Sequence, residues 1–259
     1  RKNIFNMIAR TLIGVASVLG LASASHNILD YGAVAGPTDT DTAYANAYAF
    51  TKAVEAANAG TSGDRVVVVP ANNTFTMMPV HFDHLYNFKL TIEGTLLAST
   101  DYKNWENRTD TKVYDFITIN DSTNIKIDGN GLVDGQGFAW WMREYAQTNP
   151  AHRPCLLQME RVANCEITET KWQNAPYYHL NLRDIDNFEI HHMEIFVDVW
   201  KQQNLMEFYG AWDYSINYPT FPLNTDGIDP SGSNIYIHDC KITNFDDAVA
   251  VKPAHNNNQ

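Results

Sequence analysis

Three carboxylates gather late in the chain, in Asn224-Thr225-Asp226-Gly227 and Phe245-Asp246-Asp247-Ala248. Asp226 precedes Asp246 and Asp247 by 20 and 21 residues. A chain that coils with a rung of about that length sets the acids of one rung beside those of the next, at the ~4.8 Å spacing of neighbouring strands. Like charges that close raise at least one pKa, so a single site can hold a carboxylic acid and a carboxylate at the same pH. A proton donor beside a general base is what cleavage of a glycosidic bond requires.

Such a site needs a scaffold with a regular rung, and the sequence contains one. Five segments share the order Asn, apolar or Cys, any residue, Ile or Leu: 87–90, 124–127, 164–167, 187–190 and 234–237. The shortest interval, from Asn164 to Asn187, is 23 residues, an undecorated rung; longer intervals carry loops. In a parallel β-helix equivalent side chains stack from rung to rung, and no rung buries its apolar face alone. Ile127, Ile167, Ile190 and Ile237 are therefore expected to form an interior ladder. Ahead of the repeat, Asp39 or Asp41 can cap a helix whose apolar stripe is Ala43, Ala47, Phe50, Val54 and Ala57, ending at Gly60. That helix is expected to cover the open end of the solenoid. Val66–Val69, closed by Pro70, reads as a buried strand; beyond it the helical periodicity disappears. A β-sandwich would spread Asn-Gly and Asp-Gly hairpin turns along the chain. Here they cluster at 128–135.

Residues 1–25 have the form of a secretory signal: Arg1, Lys2 and Arg10, then an apolar run from Leu12 to Leu21, then Ala22-Ser23-Ala24. The remainder, 26–259, is expected to be one catalytic β-helix domain of a secreted, extracellular protein, without stable membrane association and monomeric when complete. The chain begins with Arg and stops directly after a strand-like run, which reads as a domain incomplete at its C-terminus. The chain carries a net charge of −12, and loss of the leader, with three cations and no acid, deepens it to −15. That balance excludes nucleic acid as partner and requires a local cationic patch for any anionic substrate. Cys155, Cys165 and Cys240 are compatible with one pair, with a partner outside the chain, or with buried thiols. Sequons stand at Asn72, Asn107 and Asn120.

On these residues the chain resembles the polygalacturonase family of glycoside hydrolases, family 28. The similarity runs from Asn27–Gly32 and Thr38–Thr42 through Asn124–Gly137 with Trp140-Trp141, and is most specific at Asn224-Thr225-Asp226-Gly227 followed by Asp246-Asp247. The resemblance implies an all-β, right-handed parallel β-helix that hydrolyses α-1,4-galacturonosidic bonds of pectin with inversion, without metal or cofactor. It implies Asp246 as general acid, and Asp226 with Asp247 as the pair that orients and deprotonates water. Asn224 is expected to position its neighbours or a sugar hydroxyl. Lys252 and Trp212 are the further expected substrate contacts, Trp212 from an aromatic-rich stretch, 198–223, that serves either as cleft wall or as packing against the flank.

The chain also departs from the family pattern. No Gly-His-Gly and no Arg-x-Lys segment follows the Asp pair, so the cations that bind the substrate carboxylate are expected beyond Gln259. His255 comes too soon to be the family's histidine. Ala248 stands where many relatives have Cys. A metal site on His238 and Cys240 lacks further ligands. Exo action and specificity for rhamnogalacturonan or xylogalacturonan stay open, as does a non-catalytic carbohydrate-binding β-helix. A calcium-dependent pectate lyase would use an Arg base, and none lies near the acids in sequence.

Overall fold

All five Asn residues of the repeat adopt one backbone conformation. Asn87, Asn124, Asn164, Asn187 and Asn234 have φ between 51° and 56°, a left-handed region that Asn enters at less cost than most residues. The repeat therefore marks a corner where each rung bends, with an apolar residue next inside. The amides stack along the corner: Asn124 Nδ2 donates to Asn87 Oδ1 (2.7 Å) and Asn187 Nδ2 to Asn164 Oδ1 (2.8 Å).

The computed structural model describes residues 25–200 apart from 62, 64, 110, 146 and 150, together with 222 and 224–254. Residues 1–24 of the leader, Trp212, His255 and most of the aromatic stretch lie outside the described residues. One parallel sheet contains β1 (Ser25–Asn27), β2 (Val66–Val69), β4 (Val80–Asp83), β5 (Tyr86–Ile92), β9 (Ile117–Asp128), β11 (Leu157–Thr168), β13 (Leu180–His191) and β15 (Ile228–His238). A second contains β3 (Thr74–Met77), β6 (Thr95–Ala98), β10 (Leu132–Asp134), β12 (Lys171–Gln173), β14 (Glu194–Phe196) and β16 (Lys241–Thr243). Successive strands of each sheet come from successive rungs, the topology of a right-handed parallel β-helix. A short antiparallel hairpin, β7 (Asn107–Thr109) with β8 (Lys112–Val113), projects from one long loop.

The expected ladder is present in register: Leu90, Ile127, Ile167, Ile190 and Ile237 are consecutive partners. The first four are buried and Ile237, on the outermost strand of the sheet, is half-buried. Leu96, Val133, Trp172, Ile195 and Ile242 line the opposite wall. Each fully buried aliphatic side chain contributes roughly 1.5–3 kcal/mol, and truncating one in mid-stack, such as Ile167→Ala, costs about 2–5 kcal/mol.

Helix α1 (Thr40–Ala59) begins at Asp39, whose carboxylate accepts from Thr42 N, and all five residues of its predicted stripe are buried. It packs across β1–β5 as a cap on the first rung. Asn46, wholly buried, ties it there by donating to Val34 O and Thr76 O. A second helix, α2 (Phe138–Tyr145), corrects the expectation that helix ends with the first. Its Phe138 and Trp141 pack with Val197 and Phe245, so it supports the residue just before the Asp pair. Among the described residues no helix is long and apolar enough to cross a membrane. All three cysteines are free thiols.

Candidate active site

The two acidic motifs are zipped together by backbone. Gly227 N donates to Asp247 O (2.9 Å), Ile228 N to Ala248 O (3.1 Å), Ala250 N to Ile228 O (2.9 Å) and Lys252 N to Pro230 O (2.9 Å). Ile228 pairs with Val249 in parallel, a rung of 21 residues, as the acid spacing predicts. Gly227 is required here because a Cβ on it would stand 2.4 Å from Ala248 O. Side chains lock the same junction. Asn244 Nδ2 donates to Thr225 O (3.1 Å) and Asp247 O (2.8 Å), and Phe245 N donates to Thr225 Oγ1 (3.2 Å).

This arrangement brings Asp226, Asp246 and Asp247 together, with one carboxylate oxygen from each within 4.8 Å of the others. Asp246 and Asp247 are exposed, whereas Asp226 is 3% exposed, deeper than a cleft residue is expected to be. Burial, and then the charge of Asp246, push the Asp226 carboxyl above the ordinary carboxylate range, while Lys252 pulls it down. Its Oδ1 has no hydrogen-bond partner among the described residues, so Asp226 is not an ordinary turn residue satisfied by amides. Asp246 is well supplied with donors: Asn224 N (3.0 Å) and Asn224 Nδ2 (3.4 Å) to Oδ2, and Asp247 N (3.0 Å) to Oδ1. Asn224 thus orients Asp246 from a left-handed position, φ 60°. The three acids are also the one group among the described residues with metal-ligand spacing.

Four residues that the sequence reading passed over complete the site. Asp229, wholly buried, faces Lys252 Nζ at 3.0 Å, with Asp226 Oδ2 at 3.6 Å from the same ammonium. Burial raises the Asp229 carboxyl to about 7 against the pull of Lys252. Lys252, expected to contact substrate, is occupied by these two acids. His179, also wholly buried, accepts from Ala175 N at Nε2 (3.4 Å), so its Nδ1 carries the proton and donates to Asp226 O (2.9 Å). Burial holds its pKa down at about 4, keeping the ring neutral as a backbone clamp. Arg153 is nearly buried and donates to Asn224 Oδ1 (2.8 Å) and Pro176 O (3.0 Å), with Glu144 at 3.4 Å. Tyr178 lies under Lys252, whose Nζ is 5.1 Å from the ring centre. The Asp of Asp-Gly-Ile-Asp and the Tyr-Tyr-His triplet were the available signals for Asp229, Tyr178 and His179. Arg153, far away in sequence, carries none.

Two openings are lined by residues that support the acids. One of about 430 Å³ is bounded by Glu144, His152, Arg153, Tyr177 and Asn224. The other, of similar volume, lies between the β7–β8 hairpin and the strands β11 and β13 and shares His152, Arg153 and Tyr177 with it.

Residues 60–259 match the model of glycosyl hydrolases family 28. The chain belongs to that family. It is 29% identical over 90% of its length to a probable polygalacturonase of Arabidopsis thaliana, and 28% identical over 74% to a probable endo-xylogalacturonan hydrolase of Aspergillus oryzae. It spans 44% and 43% of those relatives, somewhat under half of each. The polygalacturonase of Erwinia carotovora ssp. carotovora shares the fold, with a TM-score of 0.66 and 23% identity over 91% of this chain and 60% of that one. Within this family the motif residues that the sequence singled out, Asn224, Asp226, Asp246 and Asp247, converge at one place. Trp212 lies outside the described residues.

Proposed function

We propose that the complete protein hydrolyses α-1,4-galacturonosidic bonds of a pectic polymer, with Asp246 as general acid and Asp226 with Asp247 activating the water. The observation that carries this is the convergence of three carboxylates, one buried and two exposed, each with an oxygen within 4.8 Å of the others. The exposed Asp246 is accessible to a leaving oxygen. Asp226, deeper and flanked by Asp247, is suited to hold a water on the far side of the sugar ring. The usual inverting separation of about 6.5–9.5 Å is wider than this cluster. Inversion therefore rests on family resemblance, and the anomer first seen by NMR during hydrolysis tests it.

A xylose-substituted galacturonan is the second reading, favoured by the likeness to the Aspergillus oryzae protein. Either polymer lies outside the cell, which accords with export directed by residues 1–25. The deciding experiment is release of reducing ends from polygalacturonate, in parallel with xylogalacturonan, without calcium and without the ultraviolet absorbance of an unsaturated product. Binding of the polymer without any cleavage would instead support a carbohydrate-binding β-helix.

A further inference from the structure

A third opening, of about 500 Å³, shares no residue with the two described above. The long strands of the large sheet bend at their Asn corners, and this trough lies past the bend from the leg, 228–231 in β15, that carries on from Asp226. Asn124, Asn164, Asn187 and Asn234 form one side of it. Lys126, Glu166, Glu189 and Tyr236, consecutive partners across β9, β11, β13 and β15, form the other. Four strands spaced by ~4.8 Å make the trough straight and roughly 14 Å long, parallel to the solenoid axis.

Its two sides carry the chemistry of hydroxyl recognition. Each corner Asn spends one N–H within the protein: Asn124 on Asn87 Oδ1 (2.7 Å), Asn164 on Thr123 Oγ1 (3.3 Å), Asn187 on Asn164 Oδ1 (2.8 Å) and Asn234 on Asp186 Oδ1 (2.8 Å). The second N–H of each, and Oδ1 of Asn124, Asn187 and Asn234, have no partner among the described residues. Donors and acceptors therefore recur along this side at the rung spacing. On the other side the charges are already engaged: Lys126 Nζ is 2.8 Å from Glu166 and 4.0 Å from Asp128, and His238 Nε2 is 3.1 Å from Glu189. Tyr236 is exposed, and its ring stacks on His238 at 4.2 Å, which stacks in turn on His191 at 4.9 Å. The tyrosine is thus backed on one face and held. A fixed aromatic ring offers a broad amphipathic surface at small entropy cost, and its electron-rich face suits the C–H groups of a pyranose.

We propose that this trough is a non-catalytic binding site for an extended neutral glycan, whose rings stack on Tyr236 and whose hydroxyls bond to Asn187, Asn234 and the carboxylate of Glu189. A uronate chain is repelled by Glu166 and Glu189 and finds no cation free to receive it. A basic peptide would meet Glu189 but leave the amides of the Asn side unused. The site is separate from the acids and does not rest on the hydrolase reading. It anchors the protein on neutral polysaccharide and leaves the three aspartates open.

The test is calorimetric titration of the complete protein with cellohexaose and with β-1,4-galactohexaose, neutral chains linked through an equatorial and an axial oxygen, and with hexalysine. At least one hexasaccharide should bind. Tyr236→Ala should weaken that complex roughly tenfold, and Tyr236→Phe should keep most of it. Asn187→Gly keeps the left-handed corner and removes the amide, and should weaken it about threefold. Circular dichroism shows whether the variants are folded. Neither Tyr236→Ala nor Asn187→Gly should change the rate on soluble polygalacturonate or, in an Asp246→Asn background, the affinity for oligogalacturonate. Binding of neither hexasaccharide overturns the proposal, and so does equal affinity in the parent and folded Tyr236→Ala. Hexalysine bound where both hexasaccharides fail assigns the trough to a basic peptide instead. Loss of oligogalacturonate affinity in Tyr236→Ala makes it a site for acidic chains and overturns the neutral assignment. Hexasaccharide binding that depends on Tyr236 in a protein that cleaves no polygalacturonate leaves this site standing and removes the hydrolase reading alone.

Discussion

Lys252 Nζ lies 3.0 Å from one Asp229 oxygen, and the same ammonium is 3.6 Å from Asp226. Lys252 is therefore an internal counter-ion for two buried acids. Lys252→Gln should destabilise the protein by about 1–3 kcal/mol, because removing one partner leaves buried carboxylate uncompensated. Denaturant titration measures it. A substrate-gripping lysine would instead raise KM and leave stability alone.

Asp229 should make stability depend on pH. Its folded pKa, about 7, is above its ordinary value of 3.8, so between these values the folded state binds more protons than the unfolded. Stability then falls as pH rises through that window. The melting temperature should drop between pH 5 and pH 8, and Asp229→Asn should flatten the drop. An equal slope in both proteins would show that Asp229 does not titrate there.

Arg153 connects Glu144 of α2 to Asn224, which in turn donates to Asp246. Arg153→Met should cost about 2–4 kcal/mol, since Asn224 Oδ1 and Pro176 O lose a buried charged donor. With Asn224 released, Asp246 loses its orientation. Catalysis should fall more in kcat than in KM, measured at a temperature where the variant remains folded.

The fold was legible because a solenoid repeats its instructions. Asn at each corner and Ile two residues beyond the next apolar position recur with the rung, so a local pattern reports a long-range stack. The helix stripe was legible for the same reason, and Asp226 with Asp246-Asp247 was legible because one rung of chain separates them. What stayed hidden depends on contacts between segments unrelated by the repeat. Nothing local to Arg153 shows that it reaches Asn224, and Trp140-Trp141 carry too short an apolar pattern to announce α2. Asp229 is one residue past Ile228 in an outward column, and only the return of the chain at Lys252 makes it a buried partner.

The assignment of the acids is tested by pairing substitutions with substrates. In the complete protein Asp246→Asn removes the proposed proton donor, so hydrolysis of polygalacturonate should fall by on the order of 10²–10⁴. A galacturonide with a leaving group that needs no protonation should lose far less. Asp226→Asn and Asp247→Asn should impair both substrates, because water must be activated whatever leaves. Asp226→Asn carries a second signature: the amide replaces a buried acid held above the ordinary carboxylate range, so the pH profile of any residual activity should shift as well as its height. Should the leaving-group rescue appear in Asp226→Asn instead, the buried acid is the donor and the exposed Asp246, with its three amide donors, is the base. Near-normal polymer hydrolysis in all three folded variants would remove the three-aspartate site altogether.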